Sequence, residues 1–377
     1  MSSLKYIAFY DIPLSKHKRV YSPAATSKMD YIVSSLNEIG KHITIVSPSW
    51  FDRTKEKIQF HFQKKLQLNK NKKLILAPSF GGNSKIASYS KIILSLVWLF
   101  FWLLFHVRKN EKIMVYHSIW ITIPILLAKK IKGFKIVLEV EEIYADVMTL
   151  HPVFDKWEQK MISKSDYFIL STDLLKDNLK ITKPYIILYG SYFVENSINT
   201  PPNDGKIHLV YAGIIDEAKR GAFNAVAAAK YLSDDYVLHI IGFGEIEKLM
   251  PKIELQNTLS ECKVYFHGKK NGEEYIKFCQ GCHIGLSTQK MEGNYLESSF
   301  PSKILSYLGM GLKVVSCAVS CVEQSKIGNL VTYYYKDDSQ EIAKAIIECS
   351  ESINHNSIQT LQQLHQSFKK ELNTFIH

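Results

Sequence analysis

At 377 residues the chain is long enough for two domains with separate cores, and with 46% apolar and 22% charged residues its composition excludes a disordered or low-complexity protein. Its formal net charge of +11 at pH 7 points to an anionic partner: a nucleic acid, a phosphorylated small molecule or a membrane surface. No basic and aromatic module of the usual nucleic-acid-binding kinds occurs, which favours the other two.

The N-terminus runs straight into a strand pattern, "KYIAFY" at 5–10, with no signal peptide, so a cytoplasmic protein with reduced cysteines is expected. The following "DIPLSKHKRVYSPAATSK" reads as a loop, in which Ser22 to Ala25 supply small residues. An amphipathic helix at 29–40 and strands at 42–48 and 72–79 come next. Between those strands, residues 53–73 ("RTKEKIQFHFQKKLQLNKNKK") hold much of the basic excess. They read either as a solvated loop or helix face or as a contact for anionic lipid headgroups.

Residues 92–107, "IILSLVWLFFWLLFHV", are apolar on every face, unlike an ordinary surface helix. The run is shorter than the roughly 20 residues a spanning helix needs and is rich in interfacial Trp and Phe. A buried helix, a monotopic helix lying in one leaflet and a true span all stay open. Strands at 112–118, 135–142, 167–172 and 185–191 then alternate with helices at 123–133, 154–166 and 173–180. Short apolar strands alternating with helices predict a parallel sheet covered on both faces.

At 195–206, "ENSINTPPNDGK" breaks the pattern and reads as a linker. The alternation restarts with strands at 207–213, 236–244, 263–268, 283–288 and 313–317. Helices are predicted at 221–232, 245–253, 272–279, 301–311 and 339–350. The fold class is thus α/β, two doubly wound domains facing a central cleft. An N-terminal domain spans 1–195, with a membrane-associating segment around 85–107. A second spans 203–350, and a terminal helix within 351–377 is free to pack back on the first. Cys279 and Cys282 in "CQGCH" have the spacing of a haem-attachment or zinc pattern. Haem attachment needs export, and the stretch reads as a helix leading into a strand, so these cysteines are read as packing residues, as are Cys317 and Cys321.

Chemistry concentrates in the second half, where loops at strand carboxyl ends line one crevice. Lys219 and Arg220 precede Gly221 at a helix start, where cations and free N–H groups meet phosphate oxygens. Gly242 and Gly244 follow a strand and let a ligand approach the backbone, although a tight turn explains them equally well. In "ESSFPSKILSYLGMGLKVVSC", Pro301 suits a first helical turn capped by Ser298 or Ser299, and Lys303 adds a full cation to the helix N-terminus. Ser306 shares the face of Lys303 and is within reach of a ribose hydroxyl. Glu292 and Glu297 converge on the same cleft.

These stretches, with "KIMVYHSIWITIPILLAKKIKGFKIVLEVEEIYAD", "LVYAG…KRG" and "IIGFGE", resemble the retaining nucleotide-sugar glycosyltransferases of family 4, whose architecture is called GT-B. The resemblance covers nearly the whole chain, and "FPSKILSYLGMGLKVV" is its most specific part. It implies a sugar nucleotide bound mainly by the second domain, UDP-sugar favoured over GDP-sugar, with no metal and no further cofactor. Lys303 and Arg220 would hold the leaving diphosphate, and His117 would contact the donor sugar. Gly213, Lys219, Gly242, Gly244, Glu292, Glu297, Ser298, Ser299, Pro301, Ser302 and Ser306 complete the donor side. The first domain would take a glycan or lipid-linked acceptor, with Glu141, Glu142 and Ser22 as candidate contacts.

Departures from the family pattern are visible. Ser306 stands where the family has its second glutamate, Ser298 where it has the first, and Ile214 where an arginine is common. A sugar-nucleotide epimerase, which shares the architecture, and a catalytically silent sugar-binding subunit are the alternatives. The leading expectation is a glycosyltransferase of lipopolysaccharide or capsule synthesis, peripherally associated with the inner face of the cell membrane and its anionic lipids.

Overall fold

The computed structural model describes residues 3–12, 19–52, 60–82, 84–144, 151–291, 299–353 and 356–376. The chain divides into two units: residues 1–189 with 367–377, and residues 190–366. The expected linker at 195–206 belongs to the second of these. Glu195 N–H donates to Gly309 O (2.9 Å), Ile198 N–H to the Gln280 side chain (2.9 Å) and Asn199 Nδ2 to Lys277 O (2.8 Å). Two backbone N–H groups and the Asn199 side chain thus anchor this polar stretch to the second unit.

The first unit is built on β1 (Leu4–Ile7), β2 (Ile43–Ser47), β3 (Phe60–His61), β4 (Lys64–Asn69), β5 (Lys72–Leu76), β6 (Ser79–Phe80), β7 (Lys112–Tyr116), β8 (Lys135–Val140), β9 (Tyr167–Leu170) and β10 (Tyr185–Ile187). Eight form one sheet in the order β10-β9-β8-β7-β1-β2-β5-β4, and β3 pairs with β6 apart from it. Every neighbour in the large sheet is parallel except the β4–β5 hairpin. Strand order reverses between β1 and β7, which places a crevice where those strands end.

The described part of the basic segment is therefore strand, not loop or helix face. Lys64 and Lys65 lie exposed on the edge strand β4, where charge discourages pairing with another chain. Helix α1 (Pro23–Glu38) starts earlier than its apolar periodicity suggests, because Ser22 caps it, accepting from Ala25 N–H at 3.4 Å. Helix α2 (Lys85–His106) extends the aromatic run to 22 residues, long and apolar enough by composition to cross a membrane. Its inward side chains Leu99, Trp102 and Leu103 join a core with Val46, Ile113, Ile136 and Leu138. Helices α3 (Thr122–Lys132), α4 (Pro152–Lys164) and α5 (Asp173–Asn178) complete the layers.

The second unit carries β11 (Ile207–Ile215), β12 (Tyr236–Gly244), β13 (Lys263–Phe266), β14 (Ile284–Ser287), β15 (Lys313–Cys317) and β16 (Val331–Tyr334), all parallel, in the order β13-β12-β11-β14-β15-β16. Strand β16 has no counterpart in the sequence reading; "VTYY" is a short, half-polar edge strand with weak patterning. The helices are α6 (Gly221–Ala228), α7 (Ile246–Leu259), α8 (Gly272–Gln280), α9 (Ser302–Gly309), α10 (Ser320–Glu323) and α11 (Ser339–Glu351). All six cysteines are free and buried. Helix α12 (Ser357–Ile376) ends within the first unit, where Phe368 stacks on Tyr31 at 5.9 Å and Phe375 O accepts from Lys112 Nζ at 2.9 Å.

One face of the second sheet holds a file of imidazoles. His208 Nδ1 lies 2.8 Å from His239 Nε2, and His239 Nδ1 lies 3.0 Å from His267 Nε2, while His208 Nε2 faces Asp204 at 3.2 Å. Burial, then His267 and His208, push His239 down to about 4, and burial pushes His267 down as well. The unfolded chain therefore binds more protons than the folded one between pH 6.5 and 4, so stability falls as pH falls through that window. Unfolding free energies from urea titrations should drop by on the order of 2 kcal/mol across it. A His239→Gln variant should show a shallower loss; an unchanged slope would remove the imidazole file as its cause.

Candidate active site

The strand order of the second unit reverses between β11 and β14, so the carboxyl ends of these strands open the crevice where doubly wound sheets bind ligands. Lys303 stands there, in the first turn of α9. Its Nζ lies 3.8 Å from the centroid of the Tyr211 ring on β11. Burial first, then Lys219, push its ammonium down to about 7. Among the described residues no carboxylate pairs with it. A desolvated cation resting on an aromatic face and lacking an internal counterion is an anion receptor.

The surroundings are shaped for that lysine. A Cβ on Gly213 would lie 2.6 Å from Cε and from Nζ of Lys303, so only glycine leaves room. A Cβ on Gly221 would lie 2.5 Å from the Tyr211 hydroxyl, so the ring is packed against the start of α6. Tyr211 Oη donates to Ile214 O at 3.1 Å, which fixes the ring. Helix α9 is set by Tyr307, fully buried, whose hydroxyl accepts from Ala212 N–H at 2.9 Å. Gly285 makes space for that ring, since a Cβ there would come within 2.3 Å of it.

Pro301 occupies the cap position of α9 instead of its first turn, and no side chain caps the helix. Ser299 instead accepts, through its carbonyl, a long contact from Cys321 Sγ at 3.7 Å. Ser298, Glu292 and Glu297 lie outside the described residues. The helix thus keeps free N–H groups beside Lys303, with exposed Ser302 next to them. Ser306 Oγ lies 3.4 Å from Tyr275 Oη, on α8.

Arg220 takes the cap position of α6 in the left-handed conformation, φ +59°, unusual for a non-glycine residue. Asp216 holds the turn, its Oδ1 accepting from the N–H groups of Ala218 (2.8 Å) and Lys219 (3.2 Å). Both cations are exposed and without an ion pair among the described residues. Gly242 and Gly244 have a different reason for being glycine. A Cβ on either would strike the carbonyl oxygen of Gly213 (1.9 Å) or Ile215 (2.2 Å) on the paired strand, so the β11–β12 approach itself demands them.

In the first unit, His117 follows β7 at that sheet's own switch point. It is 3% exposed, and burial holds it down to about 4, hence neutral at pH 7. Its Nε2 lies 3.3 Å from Glu158 Oε1 and has no hydrogen-bond partner among the described residues. Glu158, fully buried on α4, also accepts from Tyr144 N–H at 3.0 Å, and Tyr144 Oη donates to His117 O at 3.0 Å. Glu141 is engaged by Lys28 at 2.6 Å, and Ser22 spends its hydroxyl on the α1 cap. Glu142 lies half-buried beyond β8. Tyr211, Tyr307, Glu158 and Lys28 were not singled out from sequence; a tyrosine in a strand and a glutamate in an amphipathic helix carry no local signal.

Two Rossmann-like units in one chain, with a terminal helix returning to the first, define the GT-B class. Residues 206–352 match the family described as Glycosyl transferases group 1. No curated protein matches the chain as a whole. Solved GT-B structures do. One from E. coli, described as trehalose-6-phosphate bound with UDP-2-fluoro glucose, has TM-score 0.66 at 10% identity, covering 98% of this chain and 96% of that one. A trehalose-6-phosphate synthase studied for glycosyltransfer with retention has TM-score 0.66 at 10% identity, covering 100% and 98%. Anabaena Alr3699/HepE in complex with UDP has TM-score 0.65 at 11% identity, covering 100% and 97%. At these identities the likeness concerns the fold.

Gly213→Ala should displace Lys303 by the clash described. It should weaken UDP binding at least about tenfold, while costing about 1–3 kcal/mol of stability. Calorimetric titration and thermal unfolding measure the two effects; UDP affinity equal to that of the wild type would place the diphosphate elsewhere.

Proposed function

We propose that the chain is a retaining glycosyltransferase, independent of metal, that moves a sugar from a UDP-sugar to a lipid-linked glycan in cell-surface polysaccharide synthesis. GDP-sugar is the second choice of donor. The observation that carries this reading is the Lys303 ammonium, which burial pushes down to about 7 and which has no carboxylate partner among the described residues, beside a start of α9 that no described side chain caps. Diphosphate is the leaving group of such a reaction, and its developing charge is what this arrangement suits. Arg220 and Lys219 at the start of α6 add positive charge on the same side of the β11–β14 switch point.

In the retaining course, the bond between the sugar's anomeric carbon and the diphosphate oxygen breaks, and its electrons stay on that oxygen. The acceptor hydroxyl adds to the same face of the sugar, and its proton passes to the leaving oxygen. Lys303 and the N–H groups of α9 would stabilise that oxygen, which removes the need for a carboxylate nucleophile. Neutral His117, whose buried Nε2 has no hydrogen-bond partner among the described residues, suits a hydrogen bond to a sugar hydroxyl. Support for UDP comes from neighbours solved with UDP or a UDP-sugar, and support for retention from the description of another. Those neighbours also favour a second reading, a sugar phosphate as acceptor.

Incubation with UDP-glucose and other sugar nucleotides, offered a lipid-linked glycan or glucose-6-phosphate, distinguishes the acceptors. Proton NMR of the product's anomeric centre reads the stereochemistry, and isomerised donor without an acceptor would indicate an epimerase instead. Lys303→Ala should lower kcat about 10²–10³-fold; unchanged turnover would overturn the site assignment. Diphosphate contact should raise the Lys303 pKa from about 7. Between pH 7 and the raised value, binding therefore takes up a proton. Calorimetry of UDP binding at pH 8, in buffers of different ionisation enthalpy, should show that uptake in the wild type and not in Lys303→Met.

A further inference from the structure

Helices α2 and α3 pack side by side in the first unit and leave a shared apolar face uncovered. Along α2, exposed Ile86, Tyr89, Ile93, Val97, Phe101 and Phe105 recur every three or four residues, which is one side of the helix. The stripe runs from Ile86 to Phe105, about 28 Å along the helix. On α3, Ile123, Leu127 and Ile131 are exposed at the same spacing, preceded by exposed Trp120. Phe105 and Ile131 are 78% and 63% exposed, far beyond what a lone surface hydrophobe needs.

Charge selects the occupant. Neither helix contains an acidic residue, whereas exposed Lys85, Arg108, Lys109 and Lys130 stand at the helix ends. An apolar centre with aromatic rings and a rim of cations complements a bilayer whose headgroups are anionic. The opposite face of α2 excludes a span. Lys91 Nζ, buried, donates to Gly82 O at 2.9 Å, the Ser95 hydroxyl donates to Pro48 O, and Leu99, Trp102 and Leu103 lie in the core. Drawing α2 through a membrane would strip those polar groups of partners and empty the core.

We propose that the exposed face of α2 and α3 is a fixed interfacial docking surface for an anionic bilayer, entered by Ile93, Phe101, Phe105 and their neighbours without spanning it. Its purpose rests on the lipid-linked acceptor reading; the contact itself stands on the first unit alone. Co-sedimentation of the full chain with phosphatidylcholine vesicles, with and without phosphatidylglycerol, tests it. Binding is expected with the anionic vesicles and should be released by alkaline carbonate. It should weaken at least about tenfold in a Phe101→Ser, Phe105→Ser double variant and, for anionic vesicles, in Arg108→Glu, Lys130→Glu. The substituted residues are exposed, so circular dichroism and UDP affinity should be unchanged, and intact UDP binding without vesicle binding would sink this inference alone. Wild-type protein left in the supernatant, equal binding by the aromatic variant, resistance to carbonate, or a dimer dissociated by the same substitutions would each overturn it.

Discussion

The second unit is organised around a half-buried ammonium group that rests on an aromatic ring. Lys303 rests on the Tyr211 ring with only Lys219 as a charged neighbour of consequence, and its lowered pKa is the cost of that position. Several sequence choices follow from it. Gly213 and Gly221 are empty of side chain because the lysine and the ring fill that space; Gly285 is empty because Tyr307 must reach Ala212 to hold α9 in register. A protein that only needed a stable helix here would have capped it and paired the lysine. Among the described residues neither is done, a local loss of stability that an incoming anion would reverse.

The first unit solves a related problem with neutral groups. His117 and Glu158 are both essentially out of water, and burial keeps the imidazole uncharged. Glu139 is also fully buried, raised well above the usual carboxylate range by burial and by Glu141, and it accepts from the Tyr6 hydroxyl. A carboxyl whose pKa burial raises and an imidazole that burial keeps neutral both favour directional hydrogen bonding over net charge. That suits the recognition of hydroxyl groups, as the cationic receptor of the second unit suits phosphate.

How much of this the sequence disclosed depends on how local each signal was. Two sheets of alternating strands and helices were legible because apolar runs of four to six residues recur with helix-period segments between them. Lys303, Arg220 and Gly213 stood out because they sit in stretches resembling a known family, and the structure brings Gly213 against Lys303. The β3–β6 pair, β4 and β16 were not, being short, polar and at edges where burial imposes little pattern. Ser22 was read as loop chemistry and proved to be a cap, and Pro301 was placed one position too far into its helix. The two glycines at the end of β12 carried an ambiguity that the strand pairing resolves: close approach of β11 accounts for both. The partners of Lys303 and His117, which are Tyr211 and Glu158, come from elements distant in sequence, and no pattern links them.

The serine at 306 bears on the same electrostatic design. Position 306 lies three residues after Lys303, on the same side of α9, where a carboxylate would face the ammonium. A glutamate there would pair with Lys303 in the empty site, stabilise its charge and oblige a diphosphate to compete with an internal counterion. Ser306 supplies no charge and instead sits 3.4 Å from the Tyr275 hydroxyl. Lys303 therefore keeps its unpaired state, and a ribose would meet hydroxyl groups, which donate and accept alike, where a carboxylate only accepts. Under the proposed reading, absence of a carboxylate at 306 would weaken the grip on a ribose, yet would spare the diphosphate a competitor for Lys303.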